Sequence, residues 1–207
     1  MAYPIELASV LSGASVYQLR RWRRTGLLRP EVLEDGHHLY SFRDVAALRT
    51  VVRLRVDASL QKIRTAFHRL PEFDLEEHPS AHRFASDGKT VLVWTDEGFM
   101  DLVKSPGQFQ FLSFDDVTAP FVTKGGTSVV DLKRPRPRLR VNEHTRGGWP
   151  TIAGTRIDYD VIAQVVDGEE ITVEDVDRFY PGVSAEAALD ALDFDREVAE
   201  HRPKKVA

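Results

Sequence analysis

Apolar residues recur along the chain with two different periods, and the change between them separates its regions. Over residues 1–71 the spacing is helical. Ile5, Leu7, Ala8, Val10 and Leu11 predict a short first helix stopped at Ser12-Gly13. A second helix follows at once, with Ser15 as its cap, Gln18 completing a capping box and Gly26 placed for a left-handed stop. Within it Val16 and Leu19 point toward the first helix, while Tyr17, Arg20, Arg21 and Arg24 fall on the other side. Two short helices joined by a tight turn predict a helix-turn-helix, and a basic outer face on the second suits entry into a major groove. Glu34 to Tyr40 predicts a small hairpin, a wing, turning on Asp35-Gly36. Ser41 and Asp44 then bracket a third helix carrying Val45, Leu48 and Val52, and Ser59-Leu60 opens a fourth through Ile63, Phe67 and Leu70 to Pro71.

From residue 83 the period falls to two. Short strands are predicted at 83–85, 90–94, 99–103 and 108–112, with turns at Asp87-Gly88, Asp96-Glu97-Gly98 and Pro106-Gly107, which together predict a small antiparallel sheet. Lys133 to Arg138 alternates basic residues with proline, favouring an extended linker or edge strand able to meet phosphate or an acidic partner. Helical spacing returns over Tyr159–Val166, closed by Gly168, over Thr172–Phe179, closed by Tyr180-Pro181-Gly182, and from Ser184 to about Glu200. The expected fold is α+β and mainly helical. It comprises a winged helix-turn-helix domain at 1–71, a β-rich module at 72–132, and a basic linker with a three-helix, helix-turn-helix-like domain at 133–207.

Composition narrows the chemistry. The 207 residues include no cysteine, which removes disulfides and thiolate metal sites. With no apolar run near the roughly 18 residues of a membrane span, and neither a basic flank nor a long apolar stretch at the start, a cytoplasmic protein is expected. The net charge of −4 conceals strong segregation. Residues 1–71 carry 12 Lys/Arg against 6 Asp/Glu, residues 72–132 carry 4 against 11, and residues 133–207 carry 12 against 15. A basic amino-terminal block is the footprint of a nucleic-acid binder or a solvated arginine-rich face. His78 and His82 near Glu76 and Glu77 offer metal-ligand atoms, but Pro79 weakens the helical spacing and solvated histidines are expected, with no metal and no cofactor. No nucleophile–base spacing and no phosphate-cradling glycine loop point to an enzyme.

The run Leu19-Arg20-x-Trp22, then Arg24-Thr25-Gly26-Leu27-Leu28, Gly36-x-x-Leu39-Tyr40-Ser41, Asp44-Val45-Ala46-x-Leu48-Arg49 and Ser59-Leu60-x-Lys62-Ile63-Arg64 resembles the winged helix-turn-helix of MerR-type regulators over residues 3–70. That resemblance implies DNA contacts from Arg20, Trp22 and Arg24, with Tyr17, Gln18 and Arg21 on the same helix and His38 on the wing. Trp22 fits a core anchor equally well. Arg21 stands where the family usually has tyrosine, and His38 where the wing usually has arginine, so wing contact is expected to be weaker and pH-sensitive. Beyond Pro71 the chain departs from the family, which usually continues into a long dimerising helix.

Gly148-Trp149-Pro150-Thr151-Ile152-Ala153-Gly154-Thr155-Arg156-Ile157, followed by Tyr180-Pro181-Gly182, resembles a compact three-helix domain of formerly unknown function common in bacterial antitoxins. Arg156 is expected to bond to carbonyls or to a helical carboxylate. Together the two segments resemble VapB-type antitoxins of VapBC modules. The resemblance implies a homodimer that binds operator DNA, represses its own operon and neutralises a PIN-domain ribonuclease of the VapC type. A PIN site is a carboxylate cluster holding Mg²⁺, which a delivered arginine or lysine can block; Arg136, Arg138, Arg196, Arg202, Lys204 and Lys205 are the candidates. The alternative is a stand-alone MerR-like transcription regulator with a small-molecule effector.

Overall fold

Serine hydroxyls set the helix starts. The computed structural model describes residues 2–86, 90–95, 98–103, 110–111, 114–166 and 170–202. Helix α1 (Ile5–Ser12) ends on Gly13 in the left-handed conformation, and α2 (Val16–Arg24) begins three residues later under a complete Ser15/Gln18 capping box. The wing pairs β1 (Val32–Glu34) with β2 (His37–Leu39), and its turn residues Asp35 and Gly36 both have positive φ, matching the right-handed twist of the strands. Helix α3 (Phe42–Leu54) starts under a second capping box, Ser41/Asp44, and α4 (Leu60–Arg69) under Ser59. The four expected helices and the wing are thus present.

The sheet is four-stranded and antiparallel, ordered β5-β4-β3-β6, from β3 (Phe84–Ser86), β4 (Val91–Thr95), β5 (Gly98–Asp101) and β6 (Gln110–Phe111). Strand β3 packs toward the helical head, with the Phe67 and Phe84 rings stacked at 5.0 Å. The expected turns at Asp87-Gly88, Asp96-Glu97 and Pro106-Gly107 lie outside the described residues, as does Gly168. Helix α5 (Phe114–Thr118) and the hairpin β7 (Phe121–Val122)–β8 (Ser128–Val129) follow, neither of them predicted. A short ladder pairs β9 (Leu139–Arg140) with β10 (Thr151–Ile152). The last helices are α6 (Tyr159–Val165), α7 (Val176–Phe179) and α8 (Ala185–Glu200). Helix α7 is shorter than expected, because Thr172 donates to the Asp175 carboxylate in a turn that occupies the preceding residues.

One buried apolar cluster runs from Tyr3 to Val198, with members on α1–α4, on β3 and β4, on β9 and β10 and on α6–α8. Three local features hold it together. Arg49, fully buried on α3, donates to five carbonyls: Leu11, Val117, Thr118, Ala119 and Val130. Burial, then the neighbouring Arg53 cation, pushes its guanidinium below the usual arginine range, and the carbonyl dipoles replace the water it has lost. At the end of α1, a Cβ on Gly13 would sit 2.3 Å from a Val129 methyl, so only glycine lets β8 approach. At the far side, Gly148 accepts a 2.6 Å hydrogen bond from the Tyr3 hydroxyl. From there Trp149 stacks against Tyr3 at 6.2 Å and Tyr159 at 6.4 Å, and Tyr159 meets Phe194 edge-on.

Gly148 has φ +86°, and a Cβ there would lie 2.5 Å from the Tyr3 oxygen. Gly148→Ala is therefore expected to lower stability by about 1–3 kcal/mol in urea unfolding. The same change in a Tyr3→Phe background should cost less, because the clashing oxygen is gone; equal costs in both backgrounds would show that the clash is relieved elsewhere.

The buried phenols predict alkaline sensitivity. Burial raises Tyr40 to about 12 and holds Tyr3 and Tyr159 higher still. Each of these groups keeps its proton in the folded chain when the unfolded chain has lost it. Stability should then fall as pH rises above about 10, by about 1.4 kcal/mol per pH unit for each tyrosine. Arg49, shifted the opposite way, offsets at most one of the three. Urea midpoints that stay flat from about pH 10 to 12 would contradict this.

Candidate nucleic-acid interface

Helical geometry places Leu19 and Trp22 inward and sets Tyr17, Arg20, Arg21 and Arg24 together on the open side of α2. Tyr17 is 67% exposed and the three arginines are exposed as well. Among the described residues none of those arginines forms an ion pair with a carboxylate, so their charge is available to an external anion. Trp22 is 1% exposed and lies in the core, so it has no surface to offer a duplex and is corrected to an anchor of the helix. Gln18 is half-buried, and its carbonyl oxygen accepts from the Ser15 N–H at 2.8 Å. Its first task is to fix the start of α2.

Neighbouring elements hold this helix in place. Arg64 of α4 donates to the Thr25 hydroxyl at its carboxyl end. Tyr40, which closes the wing, exchanges both backbone hydrogen bonds with Tyr3 and so ties the base of the wing to the start of α1. His38 is exposed on β2 opposite Leu33, with Glu34 and Asp35 at the tip.

The start of α3 is tied to the middle region by a clasp that sequence reasoning missed. The Asp44 carboxylate is fully buried and accepts from the Glu31 and Ser41 N–H groups, while its other oxygen lies 3.3 Å from His78 Nε2. His78 is thus mostly buried, a correction to the solvated reading, and His82 packs edge-on to Phe84. Glu31, Asp44 and His78 bring ligand atoms within 4.8 Å of one another. Those atoms are already engaged. Glu31 bonds Ser41 and Arg43, and the Arg43 bond holds its carboxyl below the usual range. His78 Nδ1 accepts from the Ser80 N–H, which leaves Nε2 as the N–H facing Asp44. The trio is a hydrogen-bonded clasp.

The candidates for an acid-rich partner divide. Arg136 is taken: Nε bonds Asp193 at 2.7 Å, Nη2 bonds Glu197 at 2.6 Å, and its plane lies over Phe194. The acidic partner of the basic linker is therefore the chain's own α8, which removes Arg136 from the candidate set. Arg138 is half-committed, its N–H donating to Asp190 and its guanidinium 4.0 Å from Glu186. Arg196 and Arg202 are exposed, and Lys204 and Lys205 lie outside the described residues. Arg156 is also exposed, with no protein partner among the described residues, contrary to the expected carbonyl or carboxylate bond. Thr155 closes that turn instead, donating to the Ile152 carbonyl and accepting from the Ile157 N–H.

Residues 3–70 match the MerR HTH family regulatory protein model, and residues 140–194 match the family described as protein of unknown function (DUF433). The X-ray crystal structure of Rv2018 from Mycobacterium tuberculosis is similar in fold, with a TM-score of 0.52 at 15% identity, covering 93% of this chain and 97% of that one. No curated protein matches the chain. The exposed basic face of α2 sits in the first matched segment, so the chain carries a MerR-like helix-turn-helix domain at its amino-terminal end, which supports DNA binding, and a DUF433 segment further on.

Proposed function

We propose that the chain is a non-enzymatic antitoxin of the VapB type, which binds its own operator as a dimer and neutralises a PIN-domain ribonuclease. The observation that carries the DNA half is the outward basic face of α2, whose Arg20, Arg21 and Arg24 have no carboxylate partner among the described residues. Dimerisation follows from the way one such head covers one half-site of a palindromic operator. The toxin half rests on the pairing of a DNA-reading head with the antitoxin-type Gly154-Thr155-Arg156-Ile157 segment. With Arg136 committed to α8, the cations left to enter a carboxylate-lined nuclease site are Arg138, Arg196 and Arg202, with Lys204 and Lys205 in the tail.

The test is co-expression with the adjacent reading frame followed by a pull-down and a gel shift on the chain's own promoter. Retention of a ribonuclease whose activity is suppressed, together with a shift, is the expected result. A shift without a retained nuclease would leave a stand-alone regulator.

A further inference from the structure

Besides the wing, a second hairpin stands close to α2, across a shared cleft. Hairpin β7–β8 turns through Thr123–Thr127, closed by the Gly126 N–H donating to the Thr123 carbonyl and the Thr127 N–H donating to the Thr123 hydroxyl. Its tip, Lys124 to Ser128, is exposed. Its root is rigid. Val129 fills the notch at Gly13, Phe121 lies beneath Arg49 and Arg53, and Arg53 Nη2 donates to the Ala119 carbonyl at 2.8 Å.

Between hairpin and helix runs an open cleft of about 770 Å³. Tyr17, Gln18 and Arg21 form its helical wall, and Thr123, Lys124 and Ser128 belong to the opposite one. The cleft is cationic: among the described residues Arg21, Arg55 and Lys124 line it against a single carboxylate, Glu197, which is itself bonded to Arg136. Exposed hydroxyls and cations set on a fixed frame are the chemistry that grips phosphate oxygens. A helix lying in a major groove has a sugar–phosphate strand on each side of it. The cleft lies on the Tyr17/Gln18/Arg21 edge of α2, in position to take one of those strands.

We propose that the 123–128 hairpin is a second DNA clamp, in which Lys124 and Arg21 face one phosphate strand across this cleft. The inference rests on the DNA-binding reading of α2. In the full-length protein, binding to a promoter duplex and to a scrambled duplex is followed by fluorescence anisotropy across a salt series. Lys124→Ala should weaken both duplexes about equally, by about 3–10-fold, and flatten the salt slope by about 0.9. Lys124→Glu should weaken them further, and circular dichroism should be unchanged because the tip is exposed. Unchanged affinity and slope for Lys124→Glu, while Arg20→Ala still weakens binding, would overturn the clamp and leave the α2 reading intact. Absence of binding by the unaltered chain to either duplex would overturn both.

Discussion

Arg49→Leu is expected to destabilise the protein by about 3–5 kcal/mol, a large part of the roughly 5–15 kcal/mol available to a folded domain. The leucine has comparable bulk but removes the Arg49 bonds to five carbonyls from three segments; Thr118 keeps the Leu132 N–H and Ala119 keeps Arg53, while Leu11, Val117 and Val130 lose the side-chain donor they have among the described residues. Arg49→Lys should recover only part of the loss, because an ammonium has three donors and no planar fork to spread over those acceptors. Urea unfolding followed by far-UV circular dichroism reads the effect; a loss below about 1 kcal/mol for the leucine variant would mean that water or a rearranged loop takes over the carbonyls. Since most of those acceptors lie beyond residue 71, a fragment containing the head alone should lose the same staple.

Arg20→Ala and Arg24→Ala should each weaken operator binding without unfolding the protein, because both side chains are exposed and form no ion pair among the described residues. Where the arginine reads a base edge, the loss is about 1–3 kcal/mol and discrimination at that base pair relaxes. Where it touches phosphate, affinity drops for every sequence and the salt slope shallows by about one unit. Comparing promoter and scrambled duplexes separates the two roles. If both variants bind as tightly as the parent protein, the surface that meets DNA is not this face of α2.

Local signals made the head legible. Ser15/Gln18 and Ser41/Asp44 are capping boxes that act within four residues, and Asp35-Gly36 supplies the only backbone freedom its hairpin needs. The exposed face of α2 follows from helical period alone. Long-range partners were not legible. Arg49 and Arg53 count toward a basic amino-terminal block, yet both guanidiniums turn inward to backbone carbonyls at 117–119, an arrangement with no trace in local spacing. Arg136 reads as free charge in a proline-rich linker, whereas its carboxylates lie on α8, at Asp193 and Glu197. His78 is ambiguous for the same reason: Asp44 is remote in sequence. The 121–129 hairpin escapes notice because its strands are two residues each, too short for any period to register.

The seat that Gly148 makes for the Tyr3 hydroxyl limits how such a protein can be recombined. A foreign DNA reader spliced ahead of this tail would have to present its own phenol at the third position and a matching recess beside the helix that replaces α3. Shuffling of heads among tails of this kind is then restricted to pairs that share that keyhole.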